Sequence, residues 1–294
     1  MSDLYQRVTD DIIQALETGT PPWIKPWHDA DDGLHANLVT GRRYRGINVL
    51  LHNLIASTQG YAFSRWITFQ QAQSLGAHVK KGERGTPVVF FKLHEVSEAK
   101  DDMAMEAPTK VVPLLRSFTV FNLDQVEGLP ERCLPKTSEA DWSPLEQAKS
   151  LLRDSGASIR HGGNRAVYMP HDDTIQLPPM THFPCAEGYY GTALHELVHW
   201  TGHRSRLART LGMRHGIDAY AFEELVAEMG AAFLCAHCHL PGQLRHASYI
   251  AGWLDALRND RRLVFQAAAK AQQAADFVLG TTYEAPSPAQ EMAA

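Results

Sequence analysis

The chain has 294 residues, of which 44% are hydrophobic and 21% charged, with a formal net charge of −5 at pH 7. That length fits two domains of ordinary size, each long enough to bury a core, and that balance excludes a mainly disordered chain. No run reaches the ~18 apolar residues needed to span a bilayer, Met1, Ser2 and Asp3 do not open a signal peptide, and four cysteines are too sparse for a secreted disulfide framework. A cytoplasmic protein with no membrane partner is expected.

The net charge averages over a strong asymmetry. Residues 42–92 hold eight bases (Arg42, Arg43, Arg45, Arg65, Lys80, Lys81, Arg84, Lys92) against one acid, Glu83. One stretch is a polycation inside an acidic chain.

Leu4, Val8, Ile12 and Leu16 recur at helical spacing, and Gly19 with Pro21 and Pro22 stops the pattern, so residues 4–16 are predicted as an amphipathic helix. Trp23 and Trp27 follow in a proline-punctuated loop. Residues 48–56 and 70–75 read as short helices, residues 87–92 and 111–121 as strands, and residues 97–110 as the flexible tip of the hairpin between them. The Pro, Glu, Ser and Thr enrichment of residues 127–144 reads as a linker.

Beyond it, residues 145–155 predict a helix closed by Gly156, and residues 166–169 and 174–177 a hairpin around a turn-rich spacer. Residues 187–200, 222–238 and 248–273 read as long helices. The expected class is α+β in two domains: a mixed α/β unit over 1–128, a linker over 129–144, a mainly helical unit with a small hairpin or sheet over 145–284, and a disordered tail over 285–294.

The second half contains His195-Glu196-Leu197-Val198-His199. Residues four apart share a helix face, so His195 and His199 can both reach one zinc ion with Glu196 beside the open coordination position as general base. A chance match to this pentapeptide is the bland alternative. Phe222-Glu223-Glu224-Leu225-Val226-Ala227-Glu228 supplies acids within an apolar helix, where unpaired carboxylates are costly. Glu224 resembles the third ligand of zinc peptidases whose downstream helix carries Glu-x-x-x-acid, leaving Glu228 to hold a histidine. The two acids share a face and can exchange roles, and a solvated helix face remains the plain alternative.

The extended pattern with a third histidine is absent, because Ser205 stands at its last place and Gly202 ends the helix before His203. Tyr168, Tyr189 and Tyr190 are candidate oxyanion partners. Cys235, His237, Cys238 and His239 could hold a second metal, but four ligands within five helical residues cannot all converge tetrahedrally, so the two cysteines read as buried helix-end residues.

In the basic half, cations alternate with flat side chains: Arg42-Arg43-Tyr44-Arg45, then Arg65-Trp66 and Phe69, with Trp23 and Trp27 upstream. Lys80, Lys81 and Arg84 surround a glycine turn that is not a nucleotide-binding loop. Phosphates attract the cations and unpaired bases the rings, which suggests single-stranded nucleic acid bound without strong base preference. A solvated charged surface over an aromatic core is the competing reading.

The runs Thr40-Gly41-Arg42-Arg43-Tyr44-Arg45-Gly46-Ile47-Asn48, Trp66-Ile67-Thr68-Phe69-Gln70-Gln71-Ala72 and Val79-Lys80-Lys81-Gly82-Glu83, with the two motifs of the second half, resemble the ArdC-type antirestriction proteins of conjugative plasmids. The first half is also similar to the N-terminal part of some plasmid DNA primases. The resemblance implies an N-terminal single-stranded DNA-binding domain, a C-terminal zincin-like metallopeptidase domain holding one Zn2+, and protection of incoming plasmid DNA from restriction. A DNA-associated protein or restriction-system component is then the implied protein substrate. A DNA-shielding protein with a structural zincin half, and a cytosolic metallopeptidase without a nucleic-acid role, are the alternatives.

Overall fold

The computed structural model describes residues 4–19, 21–23, 34–97, 109–133, 144–209, 217–240 and 250–281. Trp27, most of the 129–144 linker, the 98–108 hairpin tip and the 285–294 tail lie outside them.

The first half builds on a four-stranded sheet with the order β1 (Ala36–Asn37), β2 (Arg65–Thr68), β5 (Thr109–Asn122), β4 (Thr86–Ser97). β1 runs parallel to β2, and the other pairs are antiparallel. β4 and β5 pair from Thr86↔Val120 out to Ser97↔Thr109, so the expected hairpin forms and is longer than its apolar run. Helix α2 (Ile47–Gln59) belongs to one side of the sheet, where Trp66, Val88 and Val120 pack with Ala56. On the other side Ile67 packs with Ala72 of α3 (Phe69–Ser74) and Val126 of β6 (Val126–Glu127), which pairs with β3 (His78–Val79).

Because β2 is covered on both faces, its alternation sends no aromatic ring to solvent. Trp66 is 0% exposed and its indole N–H donates to His35 Nδ1 at 3.0 Å. Trp23 is 3% exposed and meets Trp253 edge-to-face at 5.7 Å. Tyr44 stacks on buried His52 at 4.2 Å. Trp23 and Trp66, expected as stacking platforms for bases, are core residues instead, and Tyr44 is half-buried against the same cluster as Trp66.

In the second half, α4 (Pro144–Asp154) packs on α5 (Ala186–Thr201), beside a three-stranded sheet with the order β7 (Ser158–His161), β9 (Thr174–Leu177), β8 (Val167–Met169). The predicted hairpin is β8–β9, with β7 added in parallel. α6 (Ile217–His237) lies between α5 and α8 (Leu263–Leu279). The run expected as one helix over 248–273 is two, α7 (Ile250–Asn259) and α8. The Asp260 carboxylate accepts from the Arg262 N–H, a local turn that competes with helix continuation.

Besides the two small clusters about its sheet, the first half shares a larger core with the second. Val8, Ile12 and Leu16 of α1 (Leu4–Glu17), with Leu50 and Leu51 of α2, join the same apolar cluster as Leu194, Leu225, Trp253 and Ala271. Thr9 Oγ1 donates to Arg261 O at 2.8 Å, Arg45 pairs with Asp276, and the Gly46 N–H donates to Gln272 Oε1 at 3.0 Å. Gly46 sits at φ 54, which favours glycine, and a Cβ there would lie 3.7 Å from Ala268 O.

Trp66→Ala should therefore cost about 3–5 kcal/mol of stability, read as a lower denaturant midpoint. An unchanged midpoint would show that the ring is not part of the core.

Candidate metal centre and nucleic-acid surface

Helix α5 carries His195, Glu196 and His199, and α6 carries Glu223, Glu224 and Glu228. The two helices approach closely at Gly230, where an added Cβ would come within 2.9 Å of a Val198 methyl. Only a residue without a side chain permits that distance. The contact sets the histidines of one helix against the acids of the other.

His195 Nε2 lies 3.6 Å from Glu224 Oε2, and His199 Nε2 lies 3.5 Å from Glu224 Oε1. Ligand atoms of these three residues all fall within 4.8 Å of one another. Tetrahedral zinc bound at about 2.1 Å separates its ligands by about 3.4 Å, so this donor set has the right size for one small divalent ion. Glu224 stands between the two Nε2 atoms. Glu228 lies behind His195, with Oε1 3.9 Å from Nδ1. The geometry thus separates the two acids that share a helix face.

The His199 ring has a partner that sequence reasoning missed. Glu223 Oε1 lies 3.3 Å from His199 Nδ1, and Arg209 clamps Glu223 through Nε and Nη2 while donating to Val198 O and Thr201 Oγ1. Glu223 neighbours Glu224 in sequence and so falls on another side of α6, and Arg209 lies after α5 with no motif to mark it. Burial opposes charge on His199, but the Glu223 and Glu224 carboxylates outweigh it and raise its pKa to about 10. Burial likewise opposes charge on Glu224, and the two imidazoles reverse that, holding its carboxyl well below the usual range. Without metal the site favours protonated histidine beside carboxylate. A divalent cation can take the place of that proton charge.

Glu196 is buried, and its Oε2 accepts the backbone N–H of Tyr168 in β8 at 2.7 Å. The Tyr168 hydroxyl donates to Asp173 Oδ1 at 2.8 Å and also contacts Arg206, while the Tyr189 hydroxyl is 2.8 Å from His161 Nε2. Two of the three tyrosines proposed as oxyanion partners thus have their hydroxyls engaged elsewhere, and Tyr190 is buried. His203 lies past the end of α5 and bonds Ser205 Oγ, outside the cluster. Cys235 and Cys238 are buried at the end of α6, as expected.

On the other half, Arg42, Arg43, Lys80, Lys81 and Arg84 are exposed. Arg45 and Arg65 face inward partners, Asp276 and Leu34 O respectively. The expected basic face is therefore narrower than the run of basic letters.

Residues 2–121 match the family model for the N-terminal domain of anti-restriction factor ArdC, and residues 146–270 match that for a zincin-like metallopeptidase. The metal-free crystal structure of the antirestriction ArdC protein from the R388 plasmid aligns with a TM-score of 0.79 at 42% identity, covering 94% of this chain and 97% of that one. The chain belongs to the ArdC antirestriction family. The Mn(II)-bound structure of the R388 ArdC protein aligns with a TM-score of 0.78 at 41% identity, over 95% of this chain and 97% of that one. The uncharacterized protein y4eC of Sinorhizobium fredii is 40% identical over 94% of this chain and 92% of its own length. Two DNA primases TraC of Escherichia coli are each 42% identical, but this chain spans only 29% and 20% of their lengths. Among the described residues of this ArdC-family chain, no helix is long and apolar enough to cross a membrane.

The Tyr168–Asp173–Arg206 contacts generate a pH signature. Hydrogen bonding from Arg206 pulls the Asp173 carboxyl down from 3.8 to about 2, with burial opposing. A depressed carboxyl stabilises the fold above its unfolded value and loses that contribution as pH falls toward the folded one. The stability lost in Arg206→Met, measured by urea unfolding, should thus be larger at neutral pH than near pH 2. Equal losses at both would remove Asp173 from the account.

Proposed function

We propose that this protein binds single-stranded DNA through its basic first half and is a zinc-dependent peptidase in its second, protecting incoming plasmid DNA from restriction, with the two activities divided at residues 129–144. The observation that carries the reading is the convergence of His195, His199 and Glu224 beside Glu196, on the same chain as a stretch rich in exposed cations.

His195, His199 and Glu224 would hold one zinc ion, with Glu228 and Glu223 orienting the imidazoles from behind. Zinc in such a site supplies Lewis acidity, acidifying water and polarising a carbonyl. Glu196 would take the proton of the attacking water on its carboxylate, held in place by the Tyr168 N–H, and pass it to the departing amine. The Mn(II)-bound R388 relative supports a divalent ion here, and the preference for zinc rests on the donor set of two imidazoles and one carboxylate.

No acid occurs between Asp32 and Glu83, while six Lys and Arg do (Arg42, Arg43, Arg45, Arg65, Lys80, Lys81). A surface drawn from this stretch suits a polyanion and tolerates any base sequence. The ArdC family membership and the TraC relatives, named as DNA primases, support the same partner class. The protein substrate is proposed to be a DNA-associated or restriction-system protein.

Glu196→Gln should keep its zinc, measured by metal analysis, and its oligonucleotide affinity, yet reduce plasmid transfer into a restricting recipient to the level without the protein. Loss of a general base costs about 10²–10⁴ in rate. Full protection by this variant would assign the function to DNA shielding, with the zincin half structural. Affinity for a single-stranded oligonucleotide should fall with rising salt, by about 0.7 log units per log unit of salt for each phosphate neutralised. A protein that fails to bind at low salt would be a peptidase alone.

A further inference from the structure

With Trp23 and Trp66 in the core, Tyr44 half-buried on His52 and Trp27 outside the described residues, a single-strand-binding surface draws on another ring. Among the described side chains of the first half, Phe69 is the one exposed Phe, Tyr or Trp, with 50% of its surface open. It opens α3 immediately after β2. The sequence pattern gave it no more weight than its buried neighbours.

Its surroundings are rigid. Thr68 caps α3, its Oγ1 accepting the Gln71 N–H at 3.2 Å while Gln71 Oε1 accepts the Thr68 N–H at 3.0 Å. Asn37 Nδ2 donates to that same Gln71 Oε1 at 2.9 Å, and Asn37 Oδ1 accepts the N–H groups of Val39 and Thr40. The Leu38 N–H donates to Trp66 O, and the Asn37 N–H to Arg42 O. The turn over 37–42 and the start of α3 are therefore one hydrogen-bonded unit. That unit presents two apolar side chains, Phe69 and Val39, each 50% exposed, and its turn also carries the exposed cation Arg42, with Arg43 following it.

Single exposed apolar side chains are ordinary on protein surfaces; what distinguishes Phe69 is its hydrogen-bonded seat in a stretch that carries cations and no carboxylate. A cation beside an open ring on a carboxylate-free stretch is complementary to a nucleotide, with phosphate on the guanidinium and base on the ring. Phe277, the other exposed Phe, Tyr or Trp among the described residues, follows Asp276, which pairs with Arg45, and lies 6.1 Å from Trp200, which Arg206 covers, so the cations around it are already engaged. We propose that Phe69, flanked by Val39 and Arg42, is the base-stacking platform of the single-strand-binding surface. This rests on the DNA-binding reading above. Preorganisation favours it, because neither the turn nor the ring's helix has to order on binding.

The test measures fluorescence anisotropy of full-length protein with two labelled probes, an oligothymidylate and an abasic deoxyribose-phosphate oligomer of equal length. Phe69→Ala should bind oligothymidylate about five- to 150-fold more weakly and the abasic oligomer unchanged, with thermal unfolding and zinc content as in wild type. Phe69→Trp should restore oligothymidylate affinity. Arg42→Ala should weaken both probes. If wild type binds oligothymidylate and Phe69→Ala binds it equally well, or if Phe69→Ala loses both probes alike, the stacking role is overturned while DNA binding stands. If wild type binds neither probe, the DNA-binding reading falls and this inference falls with it.

Discussion

Four carboxylates, Glu196, Glu223, Glu224 and Glu228, are buried where α5 packs on α6. Burying even one carboxylate without a partner is unfavourable by several kcal/mol, so the packing of these helices depends on how each charge is answered. Arg209 answers Glu223, and the Tyr168 N–H bonds Glu196. Glu224 and Glu228 face the two imidazoles, which carry charge only when protonated. A divalent ion in the same position neutralises the set without requiring those protons. The stability of the second half and its chemistry are thus two aspects of one electrostatic constraint.

The constraint reaches the neighbouring elements. The backbone of β8 holds the general-base candidate, and the Asp173–Arg206–Tyr168 contacts tie that strand to the end of α5, where Arg206 also stacks over Trp200 at 3.8 Å. Gly230 permits the helix approach that brings three metal-type donors together. None of these residues belongs to the zinc-peptidase motif. They decide whether the motif's side chains meet.

The two halves are joined more tightly than their separate family matches suggest. The first helix, within the span matched to the ArdC N-terminal domain, buries its apolar stripe against α7 and α8 of the other half. Arg45 and Gly46 dock on α8, at the end of the segment that also carries Arg42 and Arg43. The segment that follows Arg42 and Arg43 is therefore anchored on the second half, which carries the metal-type cluster.

The sequence alone determined what depends on short spacings. His195, Glu196 and His199 share a helix face because helical geometry places residues four apart together, and the helices and the β4–β5 and β8–β9 hairpins follow from apolar period and turn residues. The ArdC resemblance was legible for the same reason, since its motifs are contiguous. Tertiary structure decided what depends on long-range contact: Glu224 rather than Glu228 between the imidazoles, Glu223 and Arg209 behind His199, and Trp66 inward with Phe69 outward. The four letters of β2, Arg65-Trp66-Ile67-Thr68, are too few to tell a strand covered on one face from one covered on both. Which rings reach solvent depends on α3, which follows β2 directly, and on α2 and β6, which arrive from elsewhere in the chain.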